Sequence, residues 1–218
     1  MISEAVTLMT EDGLALEGTL DSEGSSTGSL LLCHPHPKMG GTMNAPLLLA
    51  LREELVARRW AVLRLNFRGI GASQGESGTG EAEVGDARAG LAFLRARMPG
   101  FPVAIAGWSF GAAVAIHVAC DDTSLAACVA IAPAVDARPG ITAGIPPPHS
   151  CEISYPILVI TGSNDDQVAP AECKRWAEGM SSATYVEVPG ANHFFWAKYE
   201  TLASTIAGFL DRALTEEA

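Results

Sequence analysis

The chain has 218 residues, 48% of them hydrophobic, and its 14 lysines and arginines against 25 aspartates and glutamates give a net charge of −11. This length and composition support a buried core, which excludes intrinsic disorder and a disulfide-stapled mini-fold and predicts one domain over residues 1–218. Because the negative charge repels phosphate backbones and anionic lipids, we expect neither nucleic acid nor a membrane as a partner.

Strand-like and helix-like apolar patterns alternate along the chain. The turn-forming pair Asp12-Gly13 predicts a hairpin between strands at 6–10 and 14–20. Further strands are predicted at 29–33, 61–65, 102–106, 125–132, 156–161 and 183–188. Helices are predicted at 45–59, 81–97, 110–120, 170–180 and 197–214. This alternation is typical of an α/β fold with about eight mostly parallel strands and helices on both faces.

One long irregular segment, residues 133–155, is rich in proline. It is too short to form a folded cap domain, so we expect a loop over one edge of the sheet.

The cysteines and the N-terminal sequence indicate the cellular compartment in which we expect the protein. Five cysteines without a C-x-x-C pair predict free thiols in a reducing compartment: Cys33, Cys120, Cys128, Cys151 and Cys173. The sequence MISEAVTLMTEDG has no basic region followed by an apolar stretch. We therefore expect a soluble cytoplasmic protein.

Three segments match G-x-S-x-G, the pattern of a strand-to-helix elbow that projects a serine. Ser26 lies in a polar loop, and Ser73 is followed by another glycine-rich loop. Ser109 instead follows the apolar VAIAG and precedes AAVAIHVAC, which has no Gly or Pro to break a helix. Context therefore favours Ser109 as a nucleophile over a serine that only caps a helix.

A serine nucleophile needs a base within hydrogen-bond reach and an acid that orients the base. His193 follows the last predicted strand and Asp165 follows the strand before it, which gives the chain order Ser, Asp, His. Asp166 and Asp136 are rival acids, since a sequence does not determine which carboxylate faces the imidazole.

The other histidines, His34, His36, His117 and His149, do not end a late strand, and we expect structural or orienting roles for them. His34 and His36 lack a further ligand cluster nearby, so no metal is expected.

The oxyanion hole of such a site uses the backbone N–H after the nucleophile and a second N–H from an early loop. Phe110 would supply the first, and in CHPHPKMGG the prolines have no N–H, which leaves His36 as the best placed donor and Met39 as the second choice. The large side chains near these residues either pack in the core or line the substrate pocket, and our pocket candidates are Met39, Trp108, Phe194 and Trp196.

The segment RLNFRGIGAS, residues 64–73, has the glycines of a dinucleotide fingerprint but not the G-x-G-x-x-G spacing. We interpret it as a tight strand-to-helix connection in which Asn66 or Arg68 braces neighbouring loops.

Taken together, HPHPKMGGTMN, LRLNFRGIGASQGE, AGWSFGAA, ITGSNDDQVAP and ANHFF resemble the compact α/β-hydrolase superfamily. They are most similar to its small, lidless, dienelactone-hydrolase-like bacterial members with an HPHP motif. The resemblance covers nearly the whole chain and implies Ser109 as nucleophile, His193 as base and, from G-x-x-D-x-x-V, Asp165 as acid. True dienelactone hydrolases carry cysteine at the elbow, so the serine favours ordinary ester hydrolysis.

The sequence thus predicts a cofactor-free, carboxylesterase-like serine hydrolase for small or short-acyl esters. The alternatives are a thioesterase or an amide or peptide hydrolase of the same mechanism, or a non-catalytic binding protein with this fold. We expect a small-molecule ester as substrate and a monomer or homodimer in solution.

Overall fold

The computed structural model describes residues 1–215, which form one eight-stranded sheet with helices on both faces. The strands are β1 (Ile2–Met9), β2 (Ala15–Ser22), β3 (Gly28–Cys33), β4 (Trp60–Leu65), β5 (Val103–Trp108), β6 (Ala127–Ile131), β7 (Ile157–Gly162) and β8 (Ala183–Val188). The helices are α1 (Pro46–Ala57), α2 (Glu81–Arg97), α3 (Phe110–Asp121), α4 (Pro170–Glu178) and α5 (Tyr199–Thr215). The predicted fold class is confirmed.

The strand order is β1-β2-β4-β3-β5-β6-β7-β8, and every pair from β4 to β8 is parallel. Strands β3 to β7 are buried along their whole length, as expected for a sheet covered on both sides. Helices α2, α3 and α4 pack on one face, and α1 and α5 pack on the other. The carboxyl ends of the central strands β3, β5, β6 and β7 therefore lie together at one edge.

The N-terminal hairpin is longer than predicted, because β1 begins at Ile2 and pairs with β2 as far as Ser22. Most of β1 is exposed, so its first residues lack the apolar alternation that marks a half-buried strand.

Cys120 and Cys151 form a disulfide, which corrects the prediction of five free thiols. The bond joins the end of α3 to residues 133–155. The two cysteines are 31 residues apart in the sequence, which does not show that their Cα atoms lie 4.7 Å apart in the fold. Cys33, Cys128 and Cys173 are free and buried. The prediction of a reducing compartment rested on unpaired thiols and loses that support. Within residues 1–215, no helix is long and apolar enough to cross a bilayer.

Candidate active site

Ser109 occupies the turn between β5 and α3 with a strained backbone, at φ 56° and ψ −111°. Positive φ is costly for a residue with a side chain and persists only where neighbours enforce it. Here the neighbours are two glycines. A Cβ on Gly107 would overlap the backbone of Gly111, and a Cβ on Gly111 would overlap the carbonyl oxygens of Cys33 and His34. The G-x-S-x-G spacing is therefore a steric requirement of this elbow.

The rival serines have other positions. The Ser73 hydroxyl is buried, donates to the carbonyl of Asn66 and accepts from the N–H of Glu17. Ser26 lies in the turn between β2 and β3, far along the chain from any helix start. Only Ser109 of the three is brought next to a histidine side chain in residues 1–215.

His193 and Asp165 complete a linear hydrogen-bonded set with Ser109. His193 Nε2 lies 3.1 Å from Ser109 Oγ, and His193 Nδ1 lies 2.8 Å from Asp165 Oδ2. A carboxylate only accepts, so Nδ1 carries the proton and Nε2 presents its lone pair to the serine. Asp165 Oδ1 accepts from the N–H groups of Gln167 and Val168, each at 2.9 Å, which holds the carboxylate in place.

The rival carboxylates are not placed against this imidazole. Asp166 and Asp136 are exposed, and neither bonds to His193, whereas Asp165 is buried. The His193 carbonyl accepts a hydrogen bond of 3.1 Å from Trp108 Nε1, so the residue before the nucleophile also fixes the backbone of the histidine.

His34, His36 and His117 contact backbone groups, whereas His149 is exposed. His36 Nδ1 accepts from the N–H of Lys38, so Nε2 donates to the carbonyl of Ile141 at 3.0 Å. His117 Nε2 donates to the carbonyl of Gly144 at 3.1 Å. His34 is fully buried with both ring nitrogens bonded, and burial lowers its pKa to about 4. Among residues 1–215, no three His, Cys, Asp or Glu side chains are clustered as metal ligands.

The lowered pKa of His34 predicts a pH-dependent stability. In the unfolded chain His34 has its ordinary pKa near 6.5, whereas in the native protein it stays neutral until the pH approaches 4. Protonation between these two values therefore favours the unfolded chain, and the free energy of unfolding that is present above pH 6.5 is lost as the pH falls toward 4. Between pH 7 and pH 4 the wild type should lose about 3 kcal/mol more of its unfolding free energy than His34→Asn does. Urea unfolding of both proteins at four pH values measures this, and parallel curves would contradict it.

The two predicted oxyanion-hole donors are free to bind a ligand. Within residues 1–215, the backbone N–H groups of Phe110 and His36 have no protein acceptor. The Met39 N–H donates to the His36 carbonyl at 3.0 Å, which removes the second choice. Phe110 is the first residue of α3, so its N–H also carries the partial positive charge of a helix N-terminus.

Two cavities meet at Ser109. The larger measures about 470 Å³ and is lined by His36, Met39, Ser109, Phe110, Ala134, Arg138, Ile141, Thr142, Asp166, Gln167, Val168 and His193. The smaller measures about 200 Å³ and is lined by Pro35, His36, Met39, Gly40, Gly41, Ala45, Pro46, Trp108, Ser109, Gln167, His193 and Phe194. Each cavity therefore reaches both the serine and the histidine.

The pocket candidates divide between these cavities and the surface. Met39 lines both cavities, and Trp108 and Phe194 line the smaller one. Trp196 lines neither: it is 64% exposed and stacks on Phe194 with ring centroids 5.0 Å apart. The sequence does not mark the segment 134–142 as a cavity wall. Its only signal was its position after β6, because no residue pattern in it indicates a binding surface.

Comparisons with known proteins identify the family and the fold of the chain. The sequence model of the family described as Hydrolase_4, serine aminopeptidase S33, matches residues 27–151. An uncharacterised protein of Rickettsia prowazekii is 33% identical over 193 residues, covering 83% of this chain and 77% of its own.

Among solved structures, an α/β serine hydrolase without a lid from Xanthomonas campestris is 28% identical, with 98% of this chain and 94% of that chain covered and a TM-score of 0.81. An α/β serine hydrolase homologue from Coxiella burnetii is 29% identical, with 96% and 98% covered and a TM-score of 0.84. The narrower subgroup with the HPHP motif stays a prediction. The chain belongs to the Hydrolase_4 family of α/β serine hydrolases.

Proposed function

We propose that the protein is a carboxylesterase-like hydrolase that cleaves small or short-acyl esters through an acyl-enzyme on Ser109. The observation that carries the proposal is the hydrogen bond between Ser109 Oγ and His193 Nε2 at a strained elbow that opens into two cavities. A half-buried serine hydroxyl beside an oriented imidazole is the arrangement that makes this weak nucleophile reactive.

In the first half of the reaction, Ser109 Oγ attacks the ester carbonyl carbon while His193 Nε2 takes the hydroxyl proton. The imidazolium that forms is stabilised by Asp165 at 2.8 Å. The carbonyl oxygen becomes an oxyanion and accepts from the N–H groups of Phe110 and His36. The C–O bond to the alcohol then breaks, His193 returns its proton to the alcohol oxygen, and the acyl group remains on Ser109.

In the second half, water replaces the alcohol. His193 takes a proton from the water, whose oxygen attacks the acyl carbon, and the second tetrahedral intermediate uses the same N–H donors. Collapse returns the proton to Ser109 Oγ and releases the carboxylic acid. These steps need only groups of this chain and water.

Cavity size and lining support small substrates. The smaller cavity has about 200 Å³ and is walled by Pro46, Trp108 and Phe194. Within residues 1–215, no cap domain extends the apolar surface over the site, so a long acyl chain would project into water.

A panel of p-nitrophenyl esters from acetyl to palmitoyl tests the proposal. We expect the highest kcat/KM at two to four acyl carbons and a decline of about tenfold or more by twelve, since added methylenes stay in water. Thioesters and anilides of the preferred acyl group are the matched controls and should react more slowly. A maximum at long chains, or faster thioester turnover, would contradict the proposal.

A further inference from the structure

The buried histidine next to the oxyanion loop has no part in the mechanism above. The His34 ring packs against the Phe67 ring at a tilt of 54°, with ring centroids 4.6 Å apart, and its Nε2 lies 3.0 Å from the backbone nitrogen of Phe67. Because an amide N–H only donates, Nε2 must be unprotonated and the ring proton must be on Nδ1. Nδ1 lies 2.7 Å from the carbonyl oxygen of Pro35 and therefore donates to it.

The Pro35 carbonyl and the His36 N–H belong to one peptide unit. A trans peptide is planar, and its C=O and N–H point in opposite directions. Residues 1–215 contain no cis peptide bond. A ring that fixes the direction of the Pro35 carbonyl therefore fixes the direction of the His36 N–H on the opposite side.

Two glycines allow close packing around this loop, one against the Pro35–His36 peptide unit and one against the peptide unit before it. A Cβ on Gly41 would overlap the Pro35 carbonyl, so this carbonyl is packed tightly from a second side. A Cβ on Gly111 would overlap the His34 carbonyl, so the loop also packs directly on the first turn of α3. The His36 N–H and the Phe110 N–H are thereby brought to the same region beside Ser109.

The backbone around Phe67, whose N–H donates to the His34 ring, is itself held in place. The N–H of Arg68, the residue after Phe67, donates to Asp86 at 2.8 Å, and the Arg68 side chain pairs with Asp86 and Asp12. Asp86 is fully buried. The RLNFRGIGAS segment thus supplies a rigid backbone donor for His34, which gives this motif a connection to the active site.

We propose that His34 is a positioning residue for the oxyanion hole, whose ring holds the Pro35 carbonyl so that the His36 N–H points at the developing oxyanion. The role rests on the proposed function, since it needs an acyl carbonyl at Ser109. Its effect belongs to the transition state, because the carbonyl oxygen gains its charge only when the tetrahedral centre forms.

Two substitutions separate positioning from support of the fold. His34→Leu removes both ring nitrogens, whereas His34→Asn loses the acceptor for Phe67 and keeps an amide donor near the position of Nδ1. We expect His34→Leu to lower kcat for p-nitrophenyl acetate by about 10- to 100-fold with KM changed less than about twofold. His34→Asn should keep kcat within about threefold of the wild type.

Binding of phenylboronic acid gives a second readout, because its adduct with Ser109 places an oxygen where the oxyanion would lie. Its inhibition constant should rise by the same factor as kcat falls in His34→Leu. Leu91→Ala, a core substitution in α2, is the control: it lowers stability but should leave kcat and boronate affinity unchanged.

The outcomes separate the two proposals. Equal losses in His34→Leu and His34→Asn, or kcat above half the wild-type value in His34→Leu, would overturn the positioning role while leaving the esterase proposal intact. A wild type that turns over no ester would overturn the proposed function, and the positioning role with it.

Discussion

Replacing Ser109 with alanine should lower kcat for a short-acyl aryl ester by about 10⁴- to 10⁶-fold. The substitution removes the oxygen that carries the acyl group in the proposed mechanism, and the imidazole of His193 is left facing a methyl group. The residual activity of Ser109→Ala would come from the N–H donors and the cavities, which still bind the ester.

A fluorophosphonate probe measures the same loss by covalent labelling. The wild type should be labelled and Ser109→Ala should not, with the two proteins matched in thermal unfolding. Ser26→Ala is the control, since Ser26 also lies in a G-x-S-x-G match but in a surface turn, and it should keep both turnover and labelling. No labelling of a folded wild type would favour the non-catalytic binding protein.

Asp165→Asn should lower kcat by about 10³- to 10⁴-fold, the second largest effect we expect. An amide in this place can donate to His193 Nδ1, which moves the ring proton to Nε2, and Nε2–H cannot take a proton from Ser109. The neutral amide also stabilises the imidazolium less than a carboxylate at 2.8 Å does.

The rival carboxylates supply the controls for this substitution. Asp136→Asn should change kcat less than about twofold, because Asp136 is exposed and does not bond to His193. Asp166 lines the larger cavity, so Asp166→Asn should alter KM for some esters and leave kcat largely intact. A large drop in kcat for Asp136→Asn with little change for Asp165→Asn would contradict the assignment.

The strand and helix patterns made the sheet predictable because β3 to β7 are short, mostly apolar and bounded by turns. Once the strands are known, the polar residue after each one is placed at the carboxyl edge, which is why Ser109, Asp165 and His193 could be grouped before their distances were known. The residues alone do not show that Asp165 rather than Asp166 faces the imidazole. That choice depends on the turn after β7, which directs the Asp165 carboxylate toward His193 and the Asp166 carboxylate away from it.

Features that depend on the path of the irregular segment were not predictable. The disulfide between Cys120 and Cys151 and the cavity wall at Arg138, Ile141 and Thr142 both follow from how residues 133–155 return over the sheet. Periodicity carries no information about such a path. The position of Trp196 outside both cavities has a related cause, because the turn after His193 directs Phe194 inward and Trp196 outward.

The wall of the larger cavity comes from a different stretch of chain than the serine, histidine and aspartate. Backbone carbonyls of this stretch, those of Gly140 and Ile141, accept from Lys38 and His36, and the Arg138 side chain donates to the Gln167 carbonyl. Contacts to backbone oxygen do not depend on which side chain the contacted residue carries. Side chains in residues 134–142 other than Arg138 can therefore be exchanged to change the shape of the larger cavity while these contacts are kept.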